Sequence, residues 1–216
     1  MPPPTRRERP VRLVLASASS ARLAILRAAG IEPEVVVSGV DEDGVGAAVP
    51  GDAAVELAMR KAQAVAGRLG EDRLHIGPEL VLGCDSVFEM DGAAFGKPAD
   101  RFEAIQRWRV MRGRTGVLHT GHHLIDLGSD RAASGIESAQ VSFAAVSDAE
   151  IEAYVASGEP LLVAGGFTLD GLGGPFVERV DGDPHTVVGL SLPLLRRMLL
   201  DWGIAWPLLW TRPDVS

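Results

Sequence analysis

The sequence predicts a mixed α/β fold built on a long central sheet. Three observations predict it. Short apolar runs alternate with helical periodicity over residues 11–65, Asp91-Gly92 separates two short strand-like runs as a hairpin turn does, and two long strand-like runs, 115–126 and 137–146, follow one another without a helix between them. Strand–helix alternation alone leads to a parallel sheet, whereas hairpins add antiparallel pairs, so the sheet is expected to be mixed, in two lobes around a cleft.

The elements follow in order. Residues 1–10, rich in Pro and Arg, read as a loose tail, and residues 11–216 as a single domain. Residues 11–16 form the first strand, 19–29 a helix closed by Gly30, and 34–37 a second strand, followed by a loop over 38–50 that contains Asp41, Glu42 and Asp43. Asp52 reads as the N-cap of a helix whose Val55, Ala58, Ala62 and Val65 recur at helical spacing, with Lys61 on the flank of that stripe. Residues 79–85 read as a buried strand ending in Asp85. Asp100 with Glu103, and Ser147 with Glu150, have capping-box spacing and start helices ending near Met111 and Ser157. Gly128-Ser129-Asp130 turns between the two long strands, a glycine-rich stretch spans 164–174, and a strand near 176–180 precedes a helix over 192–202.

Composition narrows the function classes. The net charge is −8 and the pI about 5.1, which excludes a broad basic surface for nucleic acid but leaves room for a local cationic cluster around a small anion. Cys84, the one cysteine, excludes a disulfide framework and a cysteine-based zinc site and suits a reducing cytoplasm. Arg6-Arg7 before an apolar run resembles a secretory signal faintly, but Arg12 interrupts the run, which is better read as the first strand. No run reaches the roughly 18 apolar residues of a membrane helix.

Several residues are of types that carry chemistry. Ser17, Ser19 and Arg22 fall where a strand meets a helix, a place where hydroxyls cap the helix and its open N–H groups suit a phosphate. Asp85 ends an apolar run, where open α/β sheets place ligands, although a turn or cap is the plainer role. Glu42 and its acidic neighbours suit a hard cation, or simply solvent. Lys61 and Lys97, the latter in Gly96-Lys97-Pro98, are point charges for phosphate. Arg112 and Arg114 follow a helix, where its C-terminal dipole accounts for them. On a strand His119 and His123 face one way and His122 the other, which argues against a shared zinc. Gly171-Leu172-Gly173-Gly174 matches neither a P-loop nor a dinucleotide fingerprint and reads as a close-packed or mobile loop. Trp202, Trp206 and Trp210 either close the core or form an interface.

The fragments Leu15-Ala16-Ser17-Ala18-Ser19-Ser20-Ala21-Arg22, Val40-Asp41-Glu42, Lys61-Ala62, Leu82-Gly83-Cys84-Asp85-Ser86-Val87, Gly96-Lys97-Pro98, His119-Thr120-Gly121 and Val187-Val188-Gly189-Leu190 occur in this order across the chain. Together they resemble the Maf family of nucleoside triphosphate pyrophosphatases. The resemblance implies an elongated mixed sheet flanked by helices with a deep central cleft, similar to the inosine triphosphate pyrophosphatases. It implies hydrolysis of a nucleoside triphosphate between the α and β phosphates with Mg²⁺ or Mn²⁺, as house-cleaning of nucleotide pools, by a homodimer. Residue by residue, Asp85 becomes the catalytic proton acceptor and, with Glu42, a metal ligand; Ser17, Ser19, Arg22, Lys61 and Lys97 meet the phosphates.

Three departures qualify the transfer. Ser20-Ala21-Arg22 stands where many members have Pro-Arg-Arg, so one cradle arginine is missing. The lysine near Val163 and the glutamine at Asp170 found in dTTP/UTP-type members are absent, and Ala164-Gly165-Gly166-Phe167 is more similar to the branch acting on 7-methyl-GTP. Asp170 is therefore the base-specificity candidate, since a carboxylate and an amide offer a base different hydrogen-bond patterns. Two other readings stay open: a non-catalytic nucleotide-binding regulator of septum formation and cell division, and a sugar-phosphate or nucleotidyl-transfer enzyme.

Overall fold

The computed structural model describes residues 11–41, 49–72, 79–129 and 131–211. Among the described residues seven strands form one mixed sheet: β1 (Arg12–Leu15), β2 (Glu34–Val35), β3 (Glu79–Met90), β4 (Ala93–Phe95), β5 (Thr115–Asp126), β6 (Arg131–Phe143) and β7 (Val177–Asp181), in the order β2-β1-β3-β5-β6-β7 with β4 also on β3. β1 lies parallel to β2 and β3, and all later pairs are antiparallel, as the hairpins required. The helices are α1 (Ser20–Ala28), α2 (Pro50–Asp72), α3 (Arg101–Met111), α4 (Asp148–Ala156), α5 (Pro184–Val188) and α6 (Leu192–Asp201).

Capping chemistry starts the helices where hydroxyls and carboxylates stand. Ser19 Oγ accepts the Arg22 N–H, Asp100 accepts the Glu103 N–H, and Ser147 and Glu150 complete a reciprocal capping box. At Asp100 the box is open, because Glu103 reaches back to the Ala99 N–H instead. Three expectations are corrected and one helix is added. The helix α2 starts at Pro50, with Asp52 in its first turn beside the positive end of the dipole rather than capping it. β2 is only Glu34–Val35. β6 begins at Arg131, six residues before position 137, because residues 131–136 are polar or small apart from Ile136 and leave no apolar run to read. The helix α5 was not predicted; Asp183 caps it through the His185 N–H and Gly189, at φ +119°, ends it.

β3 is the axis of the molecule. Its even-numbered residues face one side, where Leu80, Leu82 and Cys84 join a core made with β1, α1 and α6, and Phe88 and Met90 join a second core made with α3 and α4. In the second core Phe88, Phe143 and Phe167 meet edge to face, and Trp108 packs likewise on Phe143, Tyr154 and Phe176. Trp202, Trp206 and Leu208 pack against the first core and Leu209 is buried in it, so the C-terminal segment closes that core. The odd face is covered by α2, whose Ala62 and Val65 meet Val14 and Val81.

Contact on that face is unusually close. A Cβ on Gly83 would stand 2.1 Å from the Ala58 carbonyl oxygen, and one on Gly121 2.4 Å from the Ala54 carbonyl. Alanines at 54, 58 and 62, four apart, therefore lie backbone-close on two glycines of adjacent strands.

Candidate active site

The position expected at a strand end lies inside a strand. β3 runs five residues past Asp85, because Ser86, Val87 and Phe88 continue a strand buried on both faces. What ends near Asp85 is β1. Pairing of β1 with β3 stops at Leu15 opposite Leu82, pairing of β4 begins at Phe88, and residues 83–87 have no strand on that side among the described residues. Asp85 is the middle of this gap, at the seam between the two cores. The gap lets groups on both faces of β3 reach one place around its edge.

On the odd face, the close approach of α2 brings Lys61 to Asp85. Lys61 Nζ donates to Asp85 Oδ1 at 2.5 Å, with 6% and 11% of the two side chains exposed. A lysine on the flank of an apolar stripe is thus buried, which an ion pair makes tolerable. Asp85 Oδ2 makes no hydrogen bond among the described residues.

On the even face, Arg22 is buried at 9% exposure. Its Nε donates to the Gly189 carbonyl at 2.8 Å, one terminal nitrogen to Ser17 Oγ and the other to Ser86 Oγ, both at 3.2 Å. Ser86 Oγ is 2.9 Å from Thr120 Oγ1, which donates to the Thr186 carbonyl at 2.8 Å. Among the described residues Arg22 forms no ion pair, so a buried guanidinium is surrounded by neutral oxygens with two of its five N–H groups still to be used. Ser17 Oγ also accepts the Ser19 N–H at 3.2 Å, which leaves the first-turn N–H groups of α1 beside the same arginine.

Ser86, Thr120 and Gly189 stand in the fragments that carry the family resemblance but have no chemical role in the sequence analysis, and Thr186 is not singled out there. One signal could have found the hydroxyl pair: Ser86 opposes Thr120 in the β3–β5 register, and alternation puts both on the face opposite Asp85. Nearby, the buried His122 accepts the Ser191 N–H at Nε2, 2.9 Å, and bonds the Thr120 carbonyl through Nδ1. Burial pushes its pKa down to about 4, so it is a neutral structural histidine that ties α6 to β5. His119 and His123 face α2 and His122 faces away, with His119 between Glu89 and Ser138 and His123 on Ser134.

The remaining candidates sit beside the second core. Lys97 is exposed on the loop leaving β4; the Gly96 carbonyl before it accepts the Gly165 N–H, and Pro98 after it packs on Gly166. Position 165 takes glycine on two counts: its φ is 73°, and a Cβ there would stand 2.7 Å from Phe88 Cβ. Asp170 is exposed farther along the same segment, and Gly173 is buried, so the glycine loop is close-packed. Arg112 and Arg114 pair with Asp148 and Asp91. Glu42 lies outside the described residues.

Among the described residues no group of three or more His, Cys, Asp or Glu is arranged for a metal. Asp85, with Oδ1 on Lys61 and Oδ2 available, fits the mode in which Mg²⁺ takes one or two carboxylates and completes its shell with water and substrate phosphates. Elsewhere, a cavity of about 300 Å³ lies at the opposite end of β1 from Ser17, lined by Arg12, Glu34 and Trp210 among others. None of the site residues lines it. Among the described residues no helix is long and apolar enough to cross a membrane.

Known proteins match this chain over nearly its whole length. A family model described as Maf-like protein matches residues 12–202. The chain is 60% identical over 205 residues to a nucleoside triphosphate pyrophosphatase of Salinispora tropica, covering 94% of this chain and 89% of that one. It is 54% identical over 199 residues to a protein of that name from Streptomyces coelicolor, covering 92% and 94%, and 53% identical over 193 residues to one from Thermosynechococcus vestitus, covering 89% and 94%. The matched span takes in the Ser17–Arg22 junction, the Lys61–Asp85 pair and Gly189 together, and on that ground the chain belongs to the Maf-like protein family.

Proposed function

We propose that the protein is a nucleoside triphosphate pyrophosphatase that cleaves its substrate between the α and β phosphates, releasing a nucleoside monophosphate and pyrophosphate. The observation that supports this reading most is Arg22, a buried cation with only neutral partners at the open end of a helix, a position that attracts an anion. The relatives that carry the pyrophosphatase name add to it.

In this reading Arg22, Ser17, Ser19, Lys61 and Lys97 hold the phosphates. Water adds at the α phosphorus, its proton passes to the Asp85 carboxylate, and the bridging oxygen leaves with pyrophosphate. Lys61, on Oδ1, keeps the carboxylate oriented. A divalent cation, Mg²⁺ or Mn²⁺, would be held by Asp85 and Glu42 and would supply neutralising charge to the triphosphate. Asp170 is the candidate contact to the base, and removal of surplus or modified nucleotides in the cytoplasm is the setting. Sedimentation tests the homodimer that goes with the reading.

The deciding experiment measures pyrophosphate release from dTTP, UTP, CTP, 7-methyl-GTP and the common dNTPs with either metal, for wild type and Asp85→Asn. Turnover by wild type that falls about 10²–10⁴-fold in the variant supports the reading. Nucleotide binding without turnover in both proteins overturns it in favour of a non-catalytic regulator.

A further inference from the structure

The loop that bears Asp170 is built around one carboxylate. Glu159 opens the 3₁₀ turn Glu159–Leu162 after α4, and its Oε1 accepts from the Tyr154 hydroxyl and the Gly173 N–H, each at 3.1 Å, and from the Thr168 hydroxyl. Its Oε2 accepts the Leu172 N–H at 3.1 Å. The Tyr154 hydroxyl in turn accepts the Thr168 N–H at 3.1 Å. Residues on both flanks of Asp170, Thr168 before it and Leu172 and Gly173 after it, are thereby held to one side chain.

The packing leaves no slack. A Cβ on Gly171 would stand 2.6 Å from Glu159 Oε2 and one on Gly173 2.5 Å from the Tyr154 hydroxyl oxygen, so the two glycines admit the carboxylate and the phenol against the backbone. Burial alone would raise the Glu159 pKa, but these hydrogen bonds bring it below the usual carboxylate range, as befits an acceptor for four donors.

This ring is not what anchors the segment. Phe167 at one end lies in the aromatic core against Phe88 and Phe143, Trp108 Nε1 donates to the Gly166 carbonyl, and Phe176 beyond the other end packs on Trp108 and Tyr154. The carboxylate shapes only the stretch between those anchors, which is the stretch that exposes Asp170.

We infer that Glu159 is a positioning residue for base recognition: with the Tyr154 hydroxyl it sets the Asp170 loop in its binding shape before the nucleotide arrives. The inference rests on the reading above that this loop meets the base. A preshaped loop spends no binding energy on ordering, so its loss falls on the discrimination between bases rather than on the chemical step.

The test compares wild type, Glu159→Gln, Tyr154→Phe and Asp170→Ala on the same nucleotide panel, with kcat and KM resolved for each base and hydrogen exchange followed over residues 168–174. Dissociation constants for the same nucleotides give the base preference independently of turnover. In Glu159→Gln the KM of the preferred nucleotide rises and the ratio between best and worst base collapses by about tenfold, while kcat stays within about threefold and exchange in the loop accelerates. Tyr154→Phe moves the same quantities the same way by less, and decides the matter alone if the glutamine variant does not fold. A base ratio unchanged in these variants, or a kcat lowered alike for every base, overturns the inference. Asp170→Ala is read separately: if it leaves base preference unchanged, the aspartate contact fails, and a Glu159→Gln protein that still loses preference supports the inference through another group of the loop.

Discussion

The two faces of β3 hold their charges by opposite means. On the α2 face a lysine and an aspartate neutralise one another in a pocket made by alanines on glycines. On the α1 face one arginine is held by hydroxyls and a backbone carbonyl, with no counter-charge among the described residues. In the first arrangement each charge has an opposite charge within the protein, whereas the second has positive charge left for a ligand. Removing Lys61 should therefore cost more stability than removing Arg22, while both removals act on the nucleotide.

The largest break in this comparison is Lys61→Met, which leaves Asp85 buried without its partner and should cost about 3–5 kcal/mol by urea unfolding. Gly83→Ala attacks the same face without touching a charge. Its Cβ meets backbone at 2.1 Å, so α2 must move, at about 3 kcal/mol, and pyrophosphate release should fall as Lys61 leaves Asp85.

The α1 face is probed through His122. Burial and the nearby Arg22 charge lower its pKa from 6.5 to about 4, against the opposing hydrogen bond with Thr120 and the charge of Asp183. Below pH 6.5 the unfolded chain takes up the proton more readily than the folded one. The contribution of the neutral ring is therefore complete above pH 6.5 and is lost as pH falls through 4, about 2 kcal/mol of it between pH 7 and 5. Denaturation midpoints at the two pH values measure this, and His122→Gln should remove that part of the slope.

Arg22→Met, by contrast, should cost only about 1 kcal/mol of stability, since its partners are neutral and Ser86 keeps Thr120, yet it should weaken nucleotide binding markedly in calorimetry. The smallest effect marks the limit of the comparison. Arg112→Ala breaks a half-exposed pair with Asp148 far from the β3 gap and should change stability by less than about 1 kcal/mol, with activity intact.

Much of this was legible in the chain itself. Helix starts at Ser19, Asp100 and Ser147 follow from hydroxyl and carboxylate capping within four residues, and the opposed faces of His119 and His122 follow from the two-residue period of a strand. The ordered fragments pointed to the family, and the mixed sheet followed from hairpins among strand–helix units. These features are local, or repeat at a fixed period, so a short window contains their cause.

Tertiary structure alone decided how the site is assembled. Arg22 meets Gly189 across 167 positions, Ser86 meets Thr120 across 34, and Lys61 reaches Asp85 because two glycines let a helix lie backbone-close on the sheet. The extension of β3 past Asp85, the short helix before Gly189 and the ring around Glu159 depend on register and close packing between segments remote in sequence. The reason is physical: propensity and periodicity act over a few residues, whereas a buried charge is placed by whatever the folded chain brings within hydrogen-bonding distance of it.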